Sequence, residues 1–218
     1  MRASHLTVLA VRAVQAVRTF LGYHALKIQG IFCLVLQRRQ AALNCFAGMQ
    51  RCRPQDRYAL ASQGHVRAQM GDFASALLPL QQLVDLDLED ASAWFNLGYV
   101  LEQADQRDEA ATAFRRALTI QPGMDRAWYG LALVLIQTDQ LDEAVVALRK
   151  NTALQPSSPF GWYQLARLHA ERHEPAAALQ IIQRLKQFEP KVAAQLERET
   201  GLVALAHCGV DPRVGVRA

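Results

Sequence analysis

Residues 91–124 read ASAWFNLGYVLEQADQRDEAATAFRRALTIQPGM, and residues 125–158 and 159–192 repeat their landmarks. Trp94, Trp128 and Trp162 stand 34 residues apart. Leu97, Leu131 and Leu165 follow each Trp by three, and Gly98, Ala132 and Ala166 come next. Ala110, Ala144 and Ala178 recur further on, and Pro122, Pro156 and Pro190 stand at the end of each copy. Within the first copy, Trp94, Leu97, Gly98 and Leu101 recur at i, i+3, i+4 and i+7, which is one face of a helix. Ala110, Phe114 and Ala117 mark the face of a second helix. Small residues at 98, 110 and 117 let two backbones approach, and large ones at 94, 97, 101 and 114 fill the space around them. Asp105 and Asp108, between the helices, are expected to accept hydrogen bonds from free N–H groups at a helix start. Pro122 cannot continue the second helix, so the chain turns. One such pair cannot bury this much apolar surface, whereas stacked copies bury it in a continuous core.

The register extends toward the N-terminus without insertion. In 57–90, Leu60, Gly64, Ala76 and Leu80 take the corresponding positions, with Leu88 where Pro would stand. Gly71-Asp72-Phe73 reads as a turn followed by a helix start. In 23–56, Leu26, Gly30, Ala42, Phe46 and Pro54 fit the same frame, and Ala25–Gly30 and Ala59–Gly64 share A-L-x-x-Q-G.

A 34-residue period with Trp, Leu-Gly, Ala, aromatic and Pro in this order resembles the tetratricopeptide repeat family. The resemblance implies an all-α, right-handed α-solenoid of helix–turn–helix units, with N- and C-terminal capping helices. The units are 23–56 (degenerate), 57–90, 91–124, 125–158 and 159–192. A basic amphipathic helix over 1–22 is expected before them, helical from Ser4 to Leu21. A capping helix over 193–207 and a disordered tail over 208–218 are expected after them.

Composition bounds the rest. The 218 residues are 51% hydrophobic, and no Asn-Gly or Asp-Gly hairpin signal occurs. The net charge of +4 is unevenly placed. Residues 1–56 hold eight Lys or Arg against Asp56 alone, so the remainder is acidic on balance. A basic end favours an acidic partner, an anionic membrane face or nucleic acid, and it also suits a solvated helix face. Arg12 and Arg18 interrupt the first apolar run, and Arg38 and Arg39 end the run from Ile28 to Gln37. Neither run reaches the roughly 20 apolar residues of a membrane span. Cys33, Cys45, Cys52 and Cys208 show no C-x-x-C spacing, which argues against zinc and for a reduced, cytoplasmic setting.

No phosphate-binding or nucleophile motif is present, and no cofactor is expected. His169 and His173 lie four apart beside Glu171 and Glu174. The register puts His169 on a packing face and His173 in a turn, which suits structure better than a shared metal.

The resemblance also points to the inner face of the first helix in each unit as a partner-binding groove. Its positions there are Phe95, Asn96, Tyr99 and Gln103, then Arg126, Tyr129, Leu133 and Gln137, then Phe160, Tyr163, Gln164 and Arg167. Aromatic rings beside amides and Arg suit an extended peptide or a helix with apolar anchors. Family members that clamp a chaperone C-terminal carboxylate need Lys and Asn where this chain has Ala61 and His65, and Arg where it has Gly130, so that mode is not expected. The reading is a non-catalytic interaction scaffold for a protein or peptide partner, with nucleic acid disfavoured for want of a base-reading code. The alternative is a membrane-surface-docked or self-assembling organiser acting through the basic N-terminal helix.

Overall fold

A computed structural model describes residues 20–203. The expected helix over 4–21, apart from its last two residues, and the tail from 208 lie outside these. The helical residues 20–35 form α1. There follow α2 (Arg39–Cys52), α3 (Arg57–Gln69), α4 (Phe73–Leu86), α5 (Ala91–Gln103), α6 (Arg107–Ile120), α7 (Asp125–Gln137), α8 (Leu141–Leu154), α9 (Pro159–Glu171), α10 (Pro175–Phe188) and α11 (Pro190–Thr200). No strand occurs among the described residues. The chain divides into two compact units between Ala127 and Trp128, within α7.

In the first unit α2 packs on α3, α3 on α4, α4 on α5 and α5 on α6. Its N-terminal core gathers Tyr23, Cys33, Ala42, Leu43, Phe46, Met49, Ala59 and Val66. In the second, α8 packs on α9, α9 on α10, and α11 on both α10 and α9. Each unit is a stretch of α-solenoid.

Three of the close approaches follow one rule. A Cβ added to Gly30 would lie 2.7 Å from Phe46, one on Gly64 2.5 Å from Leu80, and one on Gly98 2.9 Å from Phe114. Glycine and large partner are 16 residues apart each time. A missing side chain on the first helix therefore makes the socket for a large one on the second. The same interval pairs Ala132 with Leu148 and Ala166 with Ile182, and all four are buried.

The turn inside each pair is also uniform. Gln37, Gly71, Asp105, Asp139 and His173 stand 34 apart, and all have positive φ, between 58° and 77°. The residue after each donates its N–H five residues back: Arg38 to Cys33, Asp72 to Arg67, Gln106 to Leu101, Gln140 to Leu135 and Glu174 to His169. This is the Schellman ending of a helix, and it reverses the chain within three residues. Four of the five positions carry a side chain where glycine is favoured, at a cost of about 1–2 kcal/mol in the left-handed region. His173→Gly is expected to raise stability by up to about 1 kcal/mol, after glycine's own entropy cost. A thermal melt checks this; an unchanged or lower Tm would show that the His173 side chain contributes more than its strain.

Two expectations are corrected here. Asp105 and Asp108 do not cap α6: Gln106 is its N-cap and makes no side-chain bond. Asp105 occupies the left-handed turn position and pairs with Arg107, while Asp108 lies inside the first helical turn. Side-chain caps come instead from Asp56, Asp72 and Asp90, on α3, α4 and α5. The C-terminal helix expected over 193–207 begins earlier, with Pro190 in its first turn, and stops at Thr200 because Gly201 adopts φ 69°.

Candidate functional site

The repeated tryptophans brace the helices that carry the site. Trp94 donates its indole N–H to the Leu88 carbonyl at 2.9 Å, and Trp162 does the same to Pro156 at 3.0 Å. Each bond ties the first helix of a pair to the turn six residues before it. The next residue, Phe95 or Tyr163, then emerges on an adjoining part of the helix surface.

In the first unit, α5 presents Phe95, Asn96, Tyr99 and Gln103, and the start of α7 presents Arg126. Phe95 is half-buried, with its ring 5.9 Å from that of Phe114 and the Arg126 guanidinium 5.2 Å above it. It is a fixed wall rather than a free anchor. Tyr99 is 46% exposed, and Asn96 beside it is exposed without a side-chain hydrogen bond among the described residues. Gln103 bonds Glu102.

Tyr99 and Asn96 form one side of a cleft of about 290 Å³ between α3 and α5, lined also by Ala61, Gly64, His65, Ala68, Gln69, Leu80 and Val100. Gly64 and Leu80 lie at its base through the socket described above. His65 and Gln69 are hydrogen-bonded at 2.9 Å on the α3 side. The lining holds no carboxylate, Lys or Arg. The α3 residues were not among those expected to bind. Yet Ala61, His65 and Gln69 occupy, one repeat earlier, the positions of Phe95, Tyr99 and Gln103. Carrying the same count back through 57–90 finds them.

In the second unit, Tyr129, Leu133 and Gln164 are half-buried, and Gln137 and Phe160 are exposed, Phe160 by 68%. Tyr163 is not free. Its hydroxyl donates to Glu199 of α11 at 2.6 Å, and the Arg167 guanidinium lies 5.8 Å from its ring. Arg167 also pairs with Glu171 at 3.4 Å. These residues, with Ala170 and Thr200, line a hollow of about 530 Å³ between α9 and α11. The C-terminal helix thus occupies part of the α9 face expected to bind, because the apolar side of α11 needs α9 and α10 to cover it.

The Tyr163 hydrogen bond holds the Glu199 carboxyl below the usual glutamate range, and the same bond with burial raises Tyr163 above the usual phenol range. The signs give the pH window. Glu199 stabilises the fold above its ordinary pKa and stops doing so as pH falls through its lowered value. Tyr163 stabilises below its ordinary pKa and stops as pH rises through its raised value. The melting difference between wild type and Tyr163→Phe is expected to be largest from about pH 5 to pH 9 and to shrink beyond either end. A pH-independent difference would mean that the bond is not formed in solution.

His169 is buried, and its Nδ1 lies 2.6 Å from Glu174, which Arg172 also contacts. His169 and Arg172 hold Glu174 below its ordinary range. His173 stands in the turn. This cluster ties the α9–α10 turn together.

Stacked 34-residue helix pairs of this kind are the architecture that repeat proteins use to build extended binding surfaces. Two family models, both described as tetratricopeptide repeat, match residues 62–125 and 101–160. Tetratricopeptide repeats thus span residues 62–160 of the chain. No curated protein matches the sequence. Among solved structures, MamA from Desulfovibrio magneticus RS-1 is 20% identical with a TM-score of 0.71, covering 82% of this chain and 96% of that one. YrrB, described as a tetratricopeptide repeat protein with an unusual peptide-binding site, is 17% identical with a TM-score of 0.67, covering 78% and 88%. Pseudomonas aeruginosa pilF is 19% identical with a TM-score of 0.65, covering 83% and 91%. At these identities the likeness is one of fold.

Proposed function

We propose that this protein is a non-catalytic scaffold that holds an extended peptide segment of a partner protein, with the α3–α5 cleft as its principal subsite. The observation that carries the reading is the pairing of an exposed Tyr99 ring with the Asn96 and Gln69 amides around a small apolar hollow. An extended backbone needs amide donors and acceptors beside it, and a side chain entering the hollow needs apolar walls. The absence of charge in the lining selects an apolar or uncharged anchor rather than an acidic one. The peptide-binding site described for YrrB supports the same class of ligand.

The test is selection of a displayed random-peptide library on the full-length protein. Enriched peptides are expected to share an apolar anchor residue and to compete with one another. Ala68→Arg, which fills the hollow from α3, is expected to abolish their binding with the melting curve unchanged. Enrichment of peptides that bind Ala68→Arg as well as wild type would move the site elsewhere.

A further inference from the structure

The helix α1 is apolar on both sides. Tyr23, Gly30 and Cys33 are buried, with Leu26 and Leu34 half-buried, on the side facing α2. The other side exposes Phe20, Leu21, Ile28, Ile31, Phe32 and Val35, with Ile28 69% and Val35 71% exposed. At 3.6 residues per turn these positions, with His24 and Ala25 between them, fill an arc of roughly 120–140°. No charged side chain falls within it. A contiguous apolar face of this kind marks a surface that something covers.

The surrounding charge narrows what that is. No Asp or Glu occurs before Asp56. Asp56 itself is engaged, accepting from the Tyr23 hydroxyl at 2.7 Å and from the Ala59 N–H at 2.7 Å. Arg38 and Arg39 stand at the start of α2, just past the turn that ends α1; they are exposed and take part in no ion pair among the described residues, with Arg39 donating to the Gln37 side chain. Elsewhere in the chain Arg57, Arg116, Arg167 and Arg172 each meet a carboxylate. A second copy placed on this face would bring together two ends of the same positive charge. An anionic lipid surface supplies both an apolar interior for the face and negative charge for its rim.

We propose that α1 docks the protein on an anionic bilayer, with Ile28, Phe32 and Val35 in the headgroup–acyl boundary and Arg38 and Arg39 on lipid phosphates. The helix lies on the surface rather than crossing it, because Tyr23, Gly30 and Cys33 stay packed on α2. Its described 16 residues also extend only about 24 Å, short of a hydrocarbon core of about 30 Å. Interfacial binding of this type grows with buried apolar area and with attraction to anionic lipid.

Flotation of the full-length protein with vesicles tests this, comparing phosphatidylcholine alone with phosphatidylcholine containing phosphatidylglycerol. Wild type is expected to float with the anionic vesicles and to be released by salt. Ile28→Glu/Phe32→Glu is expected to lower the apparent affinity by about tenfold or more, with an unchanged melting curve because both side chains are exposed. Arg38→Glu/Arg39→Glu is expected to lose the preference for anionic lipid. Absence of wild type from the floated vesicles would overturn the proposal. So would equal flotation with neutral vesicles, or an Ile28→Glu/Phe32→Glu protein that floats like wild type. A wild-type dimer that the same pair of substitutions turns into a monomer, without vesicle binding by either, would assign the face to a second copy instead.

Discussion

Phe114→Ala is expected to lower the unfolding free energy by about 3–5 kcal/mol, the usual cost of truncating a fully buried Phe. Phe114 is 1% exposed on α6, in the socket that Gly98 leaves on α5, and its ring also backs Phe95. Helix backbones on both sides restrict how far the site can collapse, so much of the cavity remains. Gly98→Leu acts from the opposite side. Its Cβ would stand 2.9 Å from the Phe114 ring, and overpacking of this kind costs about 1–3 kcal/mol. Combining the two puts the new Leu side chain into the space the ring vacates. The double variant is therefore expected to lose less than the sum of the singles, by about 1 kcal/mol or more. Urea unfolding of the four proteins measures the coupling. Strict additivity would mean that Gly98 and Phe114 do not share a socket, and the pairing rule would fail with them.

Tyr99→Ala is expected to weaken binding of a selected peptide roughly 30-fold, a loss of about 2 kcal/mol, as for a central aromatic anchor. The ring is nearly half exposed in the free protein and lies at the edge of the α3–α5 hollow, so it gains burial only when something fills that hollow. The fold should tolerate its removal for the same reason. Tyr163→Ala offers a contrast. That ring is already held by Glu199 and Arg167, so its loss should lower Tm while changing peptide affinity only a few-fold. Titration by calorimetry, with circular dichroism melts alongside, separates the two variants. Equal affinities for wild type and Tyr99→Ala would remove this cleft as the anchor site.

Helical class, repeat length and the pairing of small with large positions were legible in the chain because they are local or strictly periodic. Trp94, Trp128 and Trp162 set the register, and Gly30, Gly64 and Gly98 follow from it as places where only a hydrogen fits. The shared turn was only partly legible. Gly71 announced a turn, but Gln37, Asp105, Asp139 and His173 adopt the same positive φ without being glycine. Their conformation is imposed by the helices on either side rather than by residue preference, which is also why Asp105 failed as a cap.

The candidate site was legible as a set of positions and not as a surface. Counting along the repeat selects Phe95 and Tyr163 as readily as Tyr99, since all three sit on the same strip of helix. Only packing distinguishes them. Phe114 and Arg126 hold Phe95, Glu199 holds Tyr163, and Tyr99 is left beside open space. The exposed side of α1 belongs to the same category. Part of it read in sequence as an apolar run from Ile28 to Gln37, and which of its two apolar faces meets α2 depends on where Gly30 must sit to admit Phe46. The sequence by itself determined the helices, their period and their sockets, because those depend on side-chain size at fixed spacing. Tertiary structure decided which aromatics remain available and which apolar face remains uncovered, because exposure depends on residues far along the chain that no local pattern places.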